Sequence, residues 1–161
     1  MYQLDTKDRH ILQLLQQDAK ANIKEIAYRV GLSATPVYER IKRLEKRGII
    51  SHYSAILDRE KIGLDLLVFC QVSLQKHNKN HIADFEQAVE QMHEVQEAYH
   101  IAGDFDYLLK IVIHDSKQYH NFLVEKLSKL DMIANVQSNF VMFKTKESKF
   151  YNLSDYFFQP E

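Results

Sequence analysis

The chain has 161 residues, 45% of them hydrophobic, with a formal net charge of −1 and one cysteine. That length holds one domain or two small ones around a buried core, and a lone cysteine excludes both a disulfide framework and a cysteine-based zinc site. The near-neutral total hides a split: residues 1–52 carry 10 Lys/Arg against 6 Asp/Glu and residues 53–161 carry 11 against 16, so a front of +4 precedes a back of −5.

The opening MYQLDTKDRH has no apolar signal core, and no window approaches the roughly 18 uncharged apolar residues of a membrane span. A soluble protein of the reducing cytoplasm is expected, nucleoid-associated if the basic front meets DNA. In chain order, Asp5 is placed to cap a first helix with Ile11, Leu12, Leu14 and Leu15 on its buried side. The helix fades at Asp18–Lys20. A second helix opens at Asn22, where Asn-x-x-Glu with Glu25 follows capping-box logic, and Ile23, Ile26, Ala27 and Val30 fall at i, i+3, i+4 and i+7. Gly31 ends it and Ser33 begins a third helix that closes at Gly48, with Pro36 tolerated inside its first turn. Two short helices meeting across a glycine-containing turn make a helix-turn-helix.

In that third helix Ala34, Val37, Ile41 and Leu44 form one apolar stripe, while Thr35, Glu39, Lys42, Arg43 and Lys46 project from the other side with Tyr38 and Arg40 on its flanks. Base-edge donors and acceptors beside phosphate-neutralising charge are what a major groove requires. A solvated amphipathic helix is the bland alternative for such a stripe taken alone. Glu39 can accept from a cytosine amino group or pair with Arg43 at i+4. The candidate DNA contacts are therefore Ser33, Thr35, Pro36, Tyr38, Glu39, Arg40, Lys42, Arg43 and Lys46.

Residues 49–57, rich in β-branched and aromatic side chains, read as a strand or two, a small wing. Asp58–Asp65 reads as the linker. A three-helix head of this size has a marginal core, so it is expected to lean on that strand and on a partner subunit. Leu66–Leu74 reads as a strand, Ile82, Phe85, Val89 and Met92 mark a helix, and Val95–Ala102 and Tyr107–Ile113 are strands flanking a tight Gly103–Asp106 turn. A helix from Ser116 and a last strand from about Ile133 to Lys144 complete the order β-α-β-β-α-β. The fold class is α+β: a winged helix-turn-helix domain over 1–52, wing strand and linker over 53–65, a ferredoxin-like βαββαβ sandwich over 66–148, and a tail over 149–161. Val68, Val72, Ile111, Val112, Val141 and Phe143 exceed what one sheet face can bury, which predicts dimerisation sheet to sheet.

The helix-turn-helix stretch GLSATPVYERIKRLEKRGII and the turn region EVQEAYHIAGDFDYLLK resemble the Lrp/AsnC family, the feast/famine regulators, over roughly residues 4–148. The resemblance implies a DNA-binding head on a ligand-sensing domain (RAM/ACT-like). It also implies homodimers, often four to a ring as an octamer, with an amino acid, leucine-like in this branch, held near the Gly-Asp-Phe-Asp-Tyr turn. An α-amino acid offers an ammonium and a carboxylate, for which Gly103, Asp104, Phe105 and Asp106 supply carboxylates beside backbone N–H groups; the alternative is a hairpin turn whose aspartates cap their own backbone. Gln137, Ser138 and Asn139 of the last strand are candidates to complete the pocket. The absence of proline and glycine in Leu130–Ile133, and the Asn139–Phe140 pair, depart from the family's pattern where the last strand bears on effector identity.

His77-x-x-x-His81 has metal spacing but no further ligand, and Asp104 with Asp106 lacks any accompanying nucleophile or phosphate loop, so neither a metal or cofactor nor an enzyme is expected. The expected function is a sequence-specific transcription regulator with a small-molecule effector, acting on pseudo-palindromic duplex DNA without a membrane partner. An architectural DNA-organising protein of the same fold, indifferent to small molecules, is the alternative. The aromatic tail, with Tyr151, Tyr156, Phe157 and Phe158, is expected to pack on a neighbouring subunit.

Overall fold

A computed structural model describes residues 3–153. The chain divides into two units, one formed by Met1–Ile56 with Lys146–Glu161 and the other by Leu57–Thr145.

The first unit is a head of three helices, α1 (Thr6–Gln17), α2 (Ile23–Val30) and α3 (Ala34–Lys46). Each begins at a short polar residue, and in the first two its side chain satisfies a free N–H group of the first turn. Asp5 accepts from the Asp8 amide at 2.7 Å and Asn22 from the Glu25 amide at 2.9 Å. Ser33 occupies the N-cap of α3 with extended backbone, but its hydroxyl makes no capping hydrogen bond, contrary to the role expected of it. Gly31 stops α2 in the left-handed region (φ 67°), a conformation costly for any side chain, and Lys7 of α1 donates to the Val30 carbonyl at 2.5 Å. Ile11, Leu14, Ile26, Ala27, Val30, Val37 and Ile41 form the core that these ends enclose.

Residues 49–57, expected as a wing strand, belong to no ladder in this chain. A strand requires a neighbour for its N–H and C=O groups, and the helical head offers no sheet edge. Ile56 and Leu57 stand more than half exposed. The head instead gains a neighbour the sequence did not announce. The chain returns to it after residue 145, and the side-chain amide of Gln16 pairs with the backbone of Tyr151, accepting from its N–H at 2.7 Å and donating to its carbonyl at 3.1 Å. An apolar groove of about 760 Å³ opens between Leu12 and Leu15 of α1, Ile49, Tyr53 and Ile56, and Phe150 of the returning segment. Tyr151 makes this contact through its backbone alone, and the residue is 81% exposed. Tyr156, Phe157 and Phe158 lie outside the described residues.

The second unit is the expected split βαββαβ sandwich. Its elements are β1 (Leu66–Leu74), α4 (Lys79–Glu90), β2 (Val95–His100), β3 (Tyr107–Ile113), α5 (Ser116–Glu125), a 3-10 turn at Leu127–Lys129, and β4 (Ile133–Phe140). The antiparallel sheet runs β2-β3-β1-β4. Strict alternation buries Val68, Cys70, Val72 and Leu74 of β1 and Tyr107, Leu109, Ile111 and Ile113 of β3 under the helices, against Phe85, Val89, Tyr119, Phe122 and Leu127. Burial pushes the Cys70 thiol up to about 11, so it is an inert part of the core.

The apolar side chains of the strands divide between the two sheet faces. Val68, Val72 and Ile111 lie on the helix side, and the open face carries Leu67, Phe69, Tyr99, Leu108 and Val112 with Gln71, Gln137 and Asn139. Lys110 and Glu97 pair across it at 2.6 Å. The 58–65 segment is an ordered loop: Arg59 donates to the Leu64 and Asp65 carbonyls at 2.8 and 2.6 Å, and His114 hydrogen-bonds the Gly63 carbonyl. Among the described residues no helix is long and apolar enough to cross a membrane, and no group of His, Cys, Asp or Glu is arranged to hold a metal.

Candidate nucleic-acid interface and effector turn

Helix α3 buries Val37, Ile41 and Leu44 and leaves Thr35, Tyr38, Glu39, Lys42, Arg43 and Lys46 exposed, with Ser33 exposed at its start and Pro36 half-buried in its first turn. Thr35, Glu39, Lys42 and Lys46 recur at i, i+4, i+7 and i+11 and so share one stripe. Lys42 pairs with Glu45 at 2.8 Å and sits 5.8 Å from the centre of the Tyr38 ring. The hydrogen bond to Glu45 raises the Lys42 ammonium above its ordinary value, and the same bond lowers Glu45. Glu45 also accepts from the Tyr53 hydroxyl at 2.9 Å; burial first and that acceptor second push Tyr53 up to about 12.

Three of the nine expected DNA contacts are already engaged, Lys42 by Glu45 and both arginines by aspartates. Arg40 donates to Asp5 and to Asp8, both at 2.6 Å, and Arg43 reaches Asp8 at 3.2 Å instead of the Glu39 carboxylate four residues before it. Asp8 is 1% exposed, a charge inside the head that the sequence reading passed over. The signal was there, because Asp8 stands three and four residues before Ile11 and Leu12, on the stripe that goes inward. Partial burial pushes the Asp5 carboxyl up, but the Asp8 amide and the Arg40 guanidinium outweigh it and hold it below the ordinary range. The two carboxylates raise Arg40 in turn.

In the second unit, Gly103 adopts φ 142° in an exposed turn, and a Cβ added there would meet nothing within 4 Å. Asp104 is exposed beside it. Asp106 does different work. Its N–H donates to the Val72 carbonyl at 2.9 Å, and its carboxylate accepts from the Leu74 amide at 2.7 Å and meets His77 at 2.8 Å. It therefore ties the turn to the end of β1, a cap on a neighbouring strand and not on its own backbone. His100 stacks on Tyr107 at 4.8 Å just behind the turn. Burial, followed by the hydrogen bond to Glu86, pushes the Tyr107 phenol up to about 12.

The three candidates on β4 do not converge. Gln137 pairs with Gln71 and Asn139 with Phe69 on the open face, whereas Ser138 faces the helices and accepts from the Tyr119 hydroxyl at 2.7 Å. Three consecutive strand residues cannot point one way, so Ser138 is a core hydrogen-bond acceptor. The Asn139 amide reaches the Gln71 side chain at 3.3 Å.

Comparison with known proteins agrees with both halves. Residues 4–45 match the AsnC-type helix-turn-helix domain and residues 67–150 the Lrp/AsnC ligand binding domain. The chain is 39% identical over 145 residues to the leucine-responsive regulatory protein of Escherichia coli K12, covering 90% of this chain and 88% of that protein. Among solved structures it is similar to a Neisseria meningitidis transcriptional regulator in complex with L-Met. That similarity has a TM-score of 0.90 and 32% identity, covering 95% of this chain and 99% of that one. An AsnC family regulator from Agrobacterium tumefaciens superposes with TM-score 0.89 at 35% identity over the same shares.

Proposed function

The chain belongs to the Lrp/AsnC family of transcription regulators, and from that premise we propose that it reads duplex DNA with α3 and senses an amino acid at the 103–106 turn. The observation that carries the reading is the division of α3 into a face that buries Val37, Ile41 and Leu44 and an exposed stripe of Thr35, Glu39, Lys42 and Lys46 with Tyr38 alongside. Ser33 and Thr35 sit where helix N-terminal N–H groups favour a phosphate, and the lysines add charge along the same face. Arg43 is held by Asp8 yet 42% exposed, so it contributes at the edge of this surface.

At the turn, Asp104 is the carboxylate for a ligand ammonium, and the exposed backbone at Gly103 and Phe105 offers N–H groups to its carboxylate. Asp106 anchors the turn and does not meet the ligand first. Gln137 and Asn139, on the open face, stand where a second copy packed sheet to sheet would meet them. A homodimer formed through Leu67, Phe69, Leu108 and Val112, assembling further to an octamer, would place two heads for a pseudo-palindromic site. The setting is the cytoplasm, on the nucleoid. The Neisseria regulator's L-Met complex and the leucine-responsive relatives support an apolar amino acid as effector.

The test is genome-wide capture of bound DNA with and without added leucine or methionine, with calorimetry of the full chain against a panel of amino acids. Paired half-sites whose occupancy shifts with one of them are expected. Intact DNA binding with no heat from any amino acid would overturn the sensing half and favour an architectural role.

A further inference from the structure

Both arginines in the middle of α3 lie on the helix that is read here as facing DNA, yet one of them is turned away from solvent. Arg40 keeps 24% of its side chain exposed and spends its guanidinium on two carboxylates at 2.6 Å, Asp5 at the cap of α1 and Asp8 one turn further on. Asp8 has 1% of its side chain exposed. Arg43 approaches the same carboxylate from the next turn of α3 at 3.2 Å, with a larger part of its side chain outside. Across two helices and 32 residues of sequence the four groups sum to zero charge.

We propose that the Asp5–Asp8 pair withholds Arg40 from DNA, so that the head presents fewer sequence-blind phosphate contacts than its count of basic residues implies. The inference rests on α3 being the DNA-contacting helix. A phosphate contact made by an exposed arginine forms in high dielectric and is screened by salt, whereas moving Arg40 to a phosphate gives up two charge-assisted bonds of 2.6 Å, one of them to a carboxylate that is 1% exposed. Arg40 therefore stays on the aspartates when DNA arrives. Affinity for any duplex grows with every phosphate neutralised and carries no sequence information, so one fewer mobile cation per head lowers the sequence-blind share of binding. Asp8 acts here as a positioning residue that sets which cations of α3 are available. It does not touch the nucleic acid.

The test is the slope of log affinity against log salt for the full chain on a mixed-sequence duplex. Arg40→Gln is expected to leave the slope at its parent value. In an Arg43→Gln background, which removes the other arginine on Asp8, Asp8→Asn leaves Arg40 only the half-exposed Asp5 and is expected to steepen the slope by up to roughly 0.9 per head, with Arg40→Gln added returning it. Asp18→Asn, at an exposed position of the same unit, controls for the bare loss of one negative charge and is expected to change nothing. A slope shallower by roughly 0.9 per head in Arg40→Gln overturns the proposal, because Arg40 then touches phosphate. So does a steepening by Asp8→Asn in the Arg43→Gln background no greater than that by Asp18→Asn. If circular dichroism shows that Asp8→Asn loses helix, the Arg40→Gln slope decides alone. Lys42→Ala with Lys46→Ala separates the premise from the inference: an unchanged slope there removes α3 from the DNA and both readings with it, whereas a shallower one leaves only Arg40 in question.

Discussion

The head and the sensor are stabilised by different physics. In the sensor, one apolar cluster runs through the sheet and both helices, from Val68 and Leu109 to Phe85 and Phe122, and the alternation of β1 and β3 feeds it continuously. The head's cluster, among the described residues, is half that size, seven buried side chains against fourteen. Around it stand polar clasps: Arg40 on Asp5 and Asp8, Lys7 on the Val30 carbonyl, and Gln16 on the backbone of Tyr151. A small domain buries too little apolar surface to be generous with it, and directional contacts fix its helices where area alone leaves them loose. The sensor can therefore lose a polar group and keep its fold, while the head depends on a few.

The largest expected effect tests the apolar half of that contrast. Phe85, fully buried and 4.5 Å from the Tyr107 ring, should cost about 3–5 kcal/mol of sensor stability on Phe85→Ala, read from urea unfolding. If the units are as independent as their contact pattern suggests, the head's transition stays in place; one shared transition that moves as a whole would break the comparison.

Next in size is Asp106→Ala, which leaves the Leu74 amide without its acceptor and should cost about 1–3 kcal/mol, whereas Asp104→Ala should fall within about 0.5 kcal/mol of the parent. Calorimetry sharpens the pair, since Asp104→Ala is expected to abolish amino-acid heat in a chain that melts normally. Retained heat in that variant would move the ligand elsewhere.

How much of this was readable from residues follows the same divide. Periodicity placed α3's two faces and put β1 and β3 at their observed ends, because an apolar core imposes its repeat on the sequence that builds it. Alternation also held the information that Leu67 and Phe69 oppose Val68 and Cys70, but composition counts blurred which set the helices cover. Ser138 points away from Gln137 and Asn139 because consecutive strand residues face opposite sides. Polar contacts between distant residues leave no such repeat. Nothing near Gln16 announces a partner 135 positions away, and nothing in the β-branched run at 49–57 says that the edge it needs is missing. Asp8 is the intermediate case, a charge on an apolar stripe, which by itself requires a buried partner and could have been matched to the arginines of α3.

For the head, Gln16→Ala removes two bonds that are open to water and should cost about 1 kcal/mol, lowering the head's transition and not the sensor's. A loss confined to the sensor would mean that residues 146–153 brace the sensor and not the head.

The smallest effect is a pH dependence in the sensor, where Glu94 is 8% exposed and takes Lys126 at 2.6 and 2.8 Å. Burial pushes the Glu94 carboxyl up, but the Lys126 ammonium and Glu94's own backbone amide outweigh it and set it below its ordinary value. A folded-state value lower than the unfolded one, about 4.3 for glutamate, gives stability that is complete above the unfolded value and drains away as pH falls through the folded one. Because Lys126 keeps a third of its side chain in water, the contribution is screened to under about 1 kcal/mol. Urea midpoints of the parent and of Glu94→Gln should therefore differ at neutral pH and converge as pH falls below the ordinary carboxylate range. A gap that stays constant across that range would mean the carboxylate's charge contributes nothing and only its shape fills the site, which would leave the sensor's stability wholly to its apolar core.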